Sequence, residues 1–180
     1  MADRVDVFTF KEGLLSRVAH DLRLHVERVA IVREGARVRV ELDPRSLVVD
    51  GAMSGGRCDA SALGAGDRAK ILATVRDTIL RTSTHRTIEF RGELKAREDG
   101  GLRVEGELRL VGVARPLAFG ARREGGRLRA SVALRPSDFG IAPYKALAGA
   151  IRLQDRVIVE LDLDAFELSE LSELGVATPA

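Results

Sequence analysis

The chain of 180 residues holds a single cysteine, Cys58. An internal disulfide and a thiolate metal cluster are therefore both excluded, and packing must hold the fold. Aromatic residues are equally scarce: no Trp, one Tyr (Tyr144) and six Phe. Single-strand nucleic-acid binders alternate exposed aromatic platforms with basic side chains, so this shortage speaks against a nucleic-acid partner. Neither sign of charge prevails, with 29 basic against 27 acidic residues and a net charge of +2. Four of the basic residues are Lys and the rest Arg, an imbalance that a GC-rich genome accounts for. Long apolar runs are missing too. The longest, Val-Ala-Ile-Val at residues 29–32, falls far short of the roughly 20 residues a membrane-spanning helix needs. The start, Met-Ala-Asp-Arg-Val-Asp, lacks the basic residues and apolar stretch of a secretory signal, which points to a cytoplasmic protein. No Gly-x-Ser-x-Gly elbow and no Gly-rich loop of the phosphate-binding kind occurs.

What the chain does have is 45% hydrophobic residues in the length of one domain, enough for one core. Most of it alternates. In residues 36–42, Ala36, Val38, Val40 and Leu42 share one face while Arg37, Arg39 and Glu41 share the other, as a half-buried strand requires. The same period places Leu102, Val104, Leu108 and Leu110 together, then Leu128, Ala130, Val132 and Leu134, then Val157, Val159, Leu161 and Leu163. Shorter candidates lie at residues 5–10, 18–26, 47–50, 87–96 and 117–122. Turn signals at Glu34-Gly35, Asp99-Gly100-Gly101 and Glu124-Gly125-Gly126 separate them as hairpins. About eight antiparallel strands in a barrel or sandwich follow.

One segment breaks this pattern. In residues 67–80, Ile71, Leu72, Val75, Ile79 and Leu80 recur at helical spacing, and Asp67 is a reasonable N-cap. A single amphipathic helix is expected, covering an open end of the barrel or a gap between strands. Residues 53–66 read as a long loop. The barrel domain is expected over residues 1–165, with 166–180 as a tail that forms a short helix and then loses order.

Three histidines, at 20, 25 and 85, make no metal motif, since His20 and His25 fall on opposite strand faces. His20 shares the parity of Val18, Leu22, Leu24 and Val26, which turns its imidazole inward. It is then either a core histidine satisfied by a backbone carbonyl or an anchor for the polar end of a ligand. Asp21 has the other parity. Cys58 lies in the long loop with no histidine beside it in sequence.

The segment Leu-Arg-Leu-Val-Gly-Val-Ala-Arg-Pro-Leu at residues 108–117 resembles the YceI-like family of lipid- or polyisoprenoid-binding domains, which carry Leu-x-Leu-x-Gly-Val-Thr-Lys/Arg-Pro-Val there. Three further pieces fall in the family's order. These are the helix leading into Thr-Ile-Glu-Phe at 87–90, Ser-Asp-Phe-Gly-Ile at 137–141 and Asp-Arg-Val-Ile-Val-Glu at 155–160. The resemblance spans residues 36–164. It implies a mainly β protein, a lipocalin-like eight-stranded antiparallel barrel with one helix and an elongated apolar pore, with no catalytic residue, metal or cofactor.

A barrel of eight strands sits near the size at which the interior either fills with side chains or admits one slender ligand. The small inward residues, with Gly106 interrupting one row, leave space for the latter. The expected function is binding of a long apolar molecule, a polyisoprenoid, quinone tail or other lipid, and not catalysis. Expected wall residues are Leu22, Leu24, Val38, Val40, Ile88, Phe90, Leu108, Leu110, Leu117, Phe119 and Phe139, with His20 at the head group. Two other readings stand beside it. One is a packed interaction module whose tail engages a partner or makes a homodimer with a second copy; the other is a lipid-acting enzyme using His20.

Overall fold

A computed structural model describes residues 3–12, 20–146 and 151–164. Among the described residues twelve strands form: β1 (Arg4–Lys11), β2 (Asp21–Val26), β3 (Val29–Glu34), β4 (Arg37–Leu42), β5 (Leu47–Ser54), β6 (Arg57–Asp59), β7 (Ile88–Ala96), β8 (Leu102–Leu110), β9 (Val113–Glu124), β10 (Arg127–Leu134), β11 (Lys145–Ala146) and β12 (Ile151–Asp164). The helix α1 (Ala65–Ala73) lies between β6 and β7. Every strand pairing is antiparallel, in the order β3-β4-β7-β8-β9-β10-β12-β1-β2-β5-β6, with β11 added beside β12.

The protein is mainly β, and its sheet curls as a half-barrel. The expected count of eight is exceeded because two long strands bend and the short β6 and β11 are added. Only Glu27 and Arg28 separate β2 from β3, and a turn at Pro44–Ser46 separates β4 from β5. Across both bends the two arms stay bonded. Glu27 N–H donates to Ser46 O (3.2 Å), Arg28 N–H to Ser46 Oγ (2.9 Å) and Asp43 N–H to Arg28 O (3.1 Å). The two ends of the strand order are thus the two halves of one bent hairpin, with β4 on β7 and β2 on β1. Counted as single bent strands, the hairpin arms reduce the long strands to β1, β2–β3, β4–β5, β7, β8, β9, β10 and β12.

Asp43 fixes this corner. Its carboxylate accepts from the side chain and the backbone N–H of Arg45 and from Arg28, which holds it far below the usual carboxylate range despite partial desolvation. A carboxyl depressed in the folded state contributes stability above its unfolded pKa and loses that contribution as pH falls toward the folded value. Asp43→Ala is expected to cost about 1 kcal/mol at neutral pH, as loss of a capping side chain does. The difference from wild type should shrink as pH falls below about 4, where the unfolded-state carboxyl protonates. Urea denaturation across that range measures both.

The helix begins earlier than its pattern indicated. Gly64 takes the N-cap position and Asp67 lies within the first turn, where its charge opposes the helix dipole favourably. After Ala73 the coil widens to a π-turn over Thr74–Ile79, closed by Leu80 N–H on Val75 O (2.8 Å). Ile71, Leu72, Val75 and Leu80 pack on the core, as their spacing predicts. Two arginines tie the helix to β5: Arg68 donates to Val49 O (3.3 Å) and Arg76 to Leu47 O (2.6 Å). Strand oxygens that no neighbouring strand reaches are thereby covered, which blunts an edge.

Part of the expected loop at 53–66 is strand, the end of β5 and all of β6. The expected space at Gly106 is not there either. Gly106 faces Gly92 across β7 and β8, and a Cβ on Gly106 would stand 2.1 Å from Arg91 O and 2.5 Å from the Gly92 Cα. The glycine pair admits a close backbone approach, and the Phe90 ring covers Gly92. The tail 166–180 and Val18 lie outside the described residues.

Candidate functional site

Alternation along each strand gives the curled sheet one apolar inner face. Val5, Val7 and Thr9 of β1 align with Val26, Leu24 and Leu22 of β2 and with Leu161, Val159 and Val157 of β12. Leu128, Ala130, Val132 and Leu134 of β10 continue the face on the far side of β12. It encloses a cavity of about 290 Å³ lined by residues of β1, β2, β4, β5, β7 to β10 and β12, with Val75, Ile79 and Leu80 of the helix. Phe90 of β7 and Phe119 of β9 meet over β8 on one wall of it, ring centroids 5.9 Å apart.

Strand position and exposure together distinguish a floor from a mouth. Leu94, Val104, Ala121, Leu128 and Leu163 are almost fully buried and close one end. Midway, Val40, Leu117, Ala130, Val159 and Leu161 are only half-buried although they face inward, because what lies beside them is empty space. The lining residues exposed to solvent are Ala142, Pro143, Gln154 and Arg156, all from the segment before β11 and the start of β12. The cavity thus has its mouth there. Polar atoms are few: Thr9, Tyr144, Gln154 and Arg156 are the lining residues that bring polar side chains, and Arg156 is the charged one.

Of the twelve expected ligand contacts, nine line this cavity: Leu24, Val38, Val40, Ile88, Phe90, Leu108, Leu110, Leu117 and Phe119. Three do not. Leu22 packs against the core from the inner face, and Phe139 is buried in the turn at Pro136–Phe139. His20 departs most from expectation. It precedes β2, so strand parity does not govern it, and it is exposed to solvent outside the cavity. Its neighbour Asp21 accepts the Lys11 backbone N–H at 2.7 Å. The pattern also held contacts that were not singled out, above all Val157, Val159 and Leu161, which share one face by the same period-two rule.

On the outer face, His25 Nδ1 stands 2.7 Å from Asp50 Oδ1, and Arg23 and Arg4 both donate to Asp50 Oδ2. Among the described residues no cluster of His, Cys, Asp and Glu has the makings of a metal site. Nor is any helix among them long and apolar enough to cross a membrane. The Arg-rich turn between β9 and β10 is tied down, Arg127 by Asp162 (2.6 Å) and Arg129 by Glu124 (3.0 Å).

The segments that carry the motifs also meet in space. Ser137 donates its backbone N–H (2.9 Å) and its hydroxyl to Asp155, which holds that carboxyl below its usual range and pins the turn before the mouth to β12. Val111 and Gly112 form the β8–β9 turn, both with positive φ (50° and 78°). Residues 8–165 match the YceI-like domain. The chain belongs to that family. Among solved structures, the YceI-like chain is similar to BcnA of Burkholderia cenocepacia, with 13% identity, a TM-score of 0.62, and 89% of this chain covered against 94% of that one. It is also similar to a polyisoprenoid-binding domain from Saccharophagus degradans implicated in plant cell wall breakdown, with 10% identity, a TM-score of 0.57, and coverage of 89% and 91%. At such identities the likeness is one of fold. No curated protein matches the chain. YceI-like domains are generally binding domains rather than enzymes.

Proposed function

We propose that this YceI-like chain binds one long apolar molecule, a polyisoprenoid or other lipid tail, inside its curled sheet. The observation that carries the reading is the state of the inner wall. Aliphatic side chains in mid-strand face inward and yet are only half-buried, beside a cavity of about 290 Å³. Apolar walls left uncovered forgo the favourable burial of roughly 25 cal/mol per Å² that a bound chain restores. A slender, largely apolar guest fits the lining, and a bulky polar one does not. The polyisoprenoid-binding domain of similar fold supports the same class of ligand.

Organic extraction of protein purified without detergent, followed by mass spectrometry, tests this. The expected result is a lipid at near one-to-one stoichiometry. Extracts indistinguishable from those of an unrelated protein prepared in parallel would count against it.

A further inference from the structure

The exposed lining residues Ala142, Pro143, Gln154 and Arg156 form an entrance to the cavity, where the end group of a ligand held tail-inward lies. The residues of that entrance define the chemistry of the end group. Arg156 is the charged residue among those lining the cavity, and it has no carboxylate partner among the described residues. Several strand arginines are ion-paired, among them Arg4, Arg23, Arg39, Arg91, Arg103 and Arg129, so what sets Arg156 apart is its place at the cavity lining rather than the lack of a pair.

The backbone explains why Arg156 reaches the mouth. Alternation from Val157 sends residue 156 to the outer face. The β1–β12 register slips between Thr9, opposite Val157, and Lys11, opposite Leu153, so Phe10 alone faces residues 154 to 156. Such bulges re-aim side chains and recur beside functional sites. The guanidinium then lies over the Phe10 ring at 5.5 Å, which restrains it by a cation–π contact without occupying its donors. Neighbouring acids are engaged elsewhere: Asp155 binds Ser137, and Asp21 binds Lys11 N–H. Lys145 and Arg152, directly opposite each other in β11 and β12, add positive charge at the same rim, with Glu12 following β1 as the nearby anion.

Building on the cavity as a lipid site, we propose that Arg156 anchors an anionic end group, a carboxylate or a phosphate, so that the ligand is an acidic single-chain amphiphile held tail-down. A guanidinium offers such groups paired, charge-assisted hydrogen bonds, whereas a neutral alcohol gains little from it.

Displacement of Nile red by three ligands of one chain length, palmitate, hexadecyl phosphate and hexadecanol, tests the proposal. In the wild type one or both anions should displace the dye at about tenfold lower concentration than the alcohol. Arg156→Gln should bring them to the level of the alcohol and leave hexadecanol unchanged, with an unaltered circular-dichroism spectrum. Arg156→Lys should keep part of the preference, and Phe10→Leu should weaken it by freeing the guanidinium. A preference confined to palmitate assigns a fatty acid, and one confined to hexadecyl phosphate assigns a lipid phosphate; either supports the anchor. Equal potency of all three in the wild type, or an unchanged preference in Arg156→Gln, overturns it. If none of the three displaces the dye, the reading of the cavity as a lipid site falls together with the proposal, a result distinct from equal potency.

Discussion

Gly106→Ala is expected to destabilise the protein by about 3 kcal/mol or more, at the upper end of what overpacking costs. The added Cβ meets backbone rather than flexible side chains, with Arg91 O at 2.1 Å and the Gly92 Cα at 2.5 Å. Relief requires β7 and β8 to separate where Gly92 and Gly106 face each other in register. The strain then spreads to Phe90, whose ring lies over Gly92 and against Phe119. A suitable control is Gly126→Ala. That glycine has φ +76° and nothing within 4 Å of an added Cβ, so only the conformational cost of about 1–2 kcal/mol applies. Urea midpoints at constant m-value separate the two variants. Equal costs would show that the close approach of β7 and β8 is not what the glycine pair provides.

The second large effect concerns binding. Ala130 lies on β10 opposite Leu161, faces the cavity and is half-buried. Ala130→Phe should fill the middle of the cavity and weaken ligand binding by at least about tenfold, or about 1.4 kcal/mol. Its melting temperature should stay the same or rise, because a ring placed in a void gains contacts without displacing neighbours. In a packed interior the same substitution would cost about 1–3 kcal/mol. Thermal melting together with ligand titration therefore distinguishes a hollow interior from a solid one. A lowered melting temperature with unaltered binding would contradict the assignment of Ala130 to the ligand wall.

Period-two alternation carried most of the architecture, since a regular strand commits every second residue to one face. Val38 and Val40, or Leu108 and Leu110, could be assigned to the interior from sequence because nothing interrupts their strands. Where regularity fails, parity misleads. His20 lies one residue before β2 starts, so its apparent alignment with Leu22 and Leu24 had no strand to enforce it. Arg156 has the opposite history. Alternation marks it as an outward charge, and only the slip of register at Phe10, a property of two paired strands, brings it to the mouth.

The glycines and the strand count carry the same lesson. An isolated Gly106 reads as a gap in an inward row. Its partner Gly92 is fourteen positions away in sequence, and their meeting depends on the β7–β8 register. The eight-strand estimate kept 36–42 and 47–50 apart but had no strand at 29–34, since the continuation of β2 into β3 past Glu27 and Arg28 is held by hydrogen bonds to the distant Asp43 and Ser46. The helix was legible from its apolar spacing. Its earlier start was not, because a glycine N-cap without a side-chain hydrogen bond leaves no signature comparable to Asp67.

The central claim is that the interior is a ligand-binding space and not a packed core. A crystal structure of the protein purified without detergent tests it most directly. Continuous elongated density should run from the floor at Leu128 and Leu163, past Phe90 and Phe119, to the mouth at Arg156. Inner-face side chains repacked against one another, with Ala130, Val159 and Leu161 fully covered and no space between them, would contradict it.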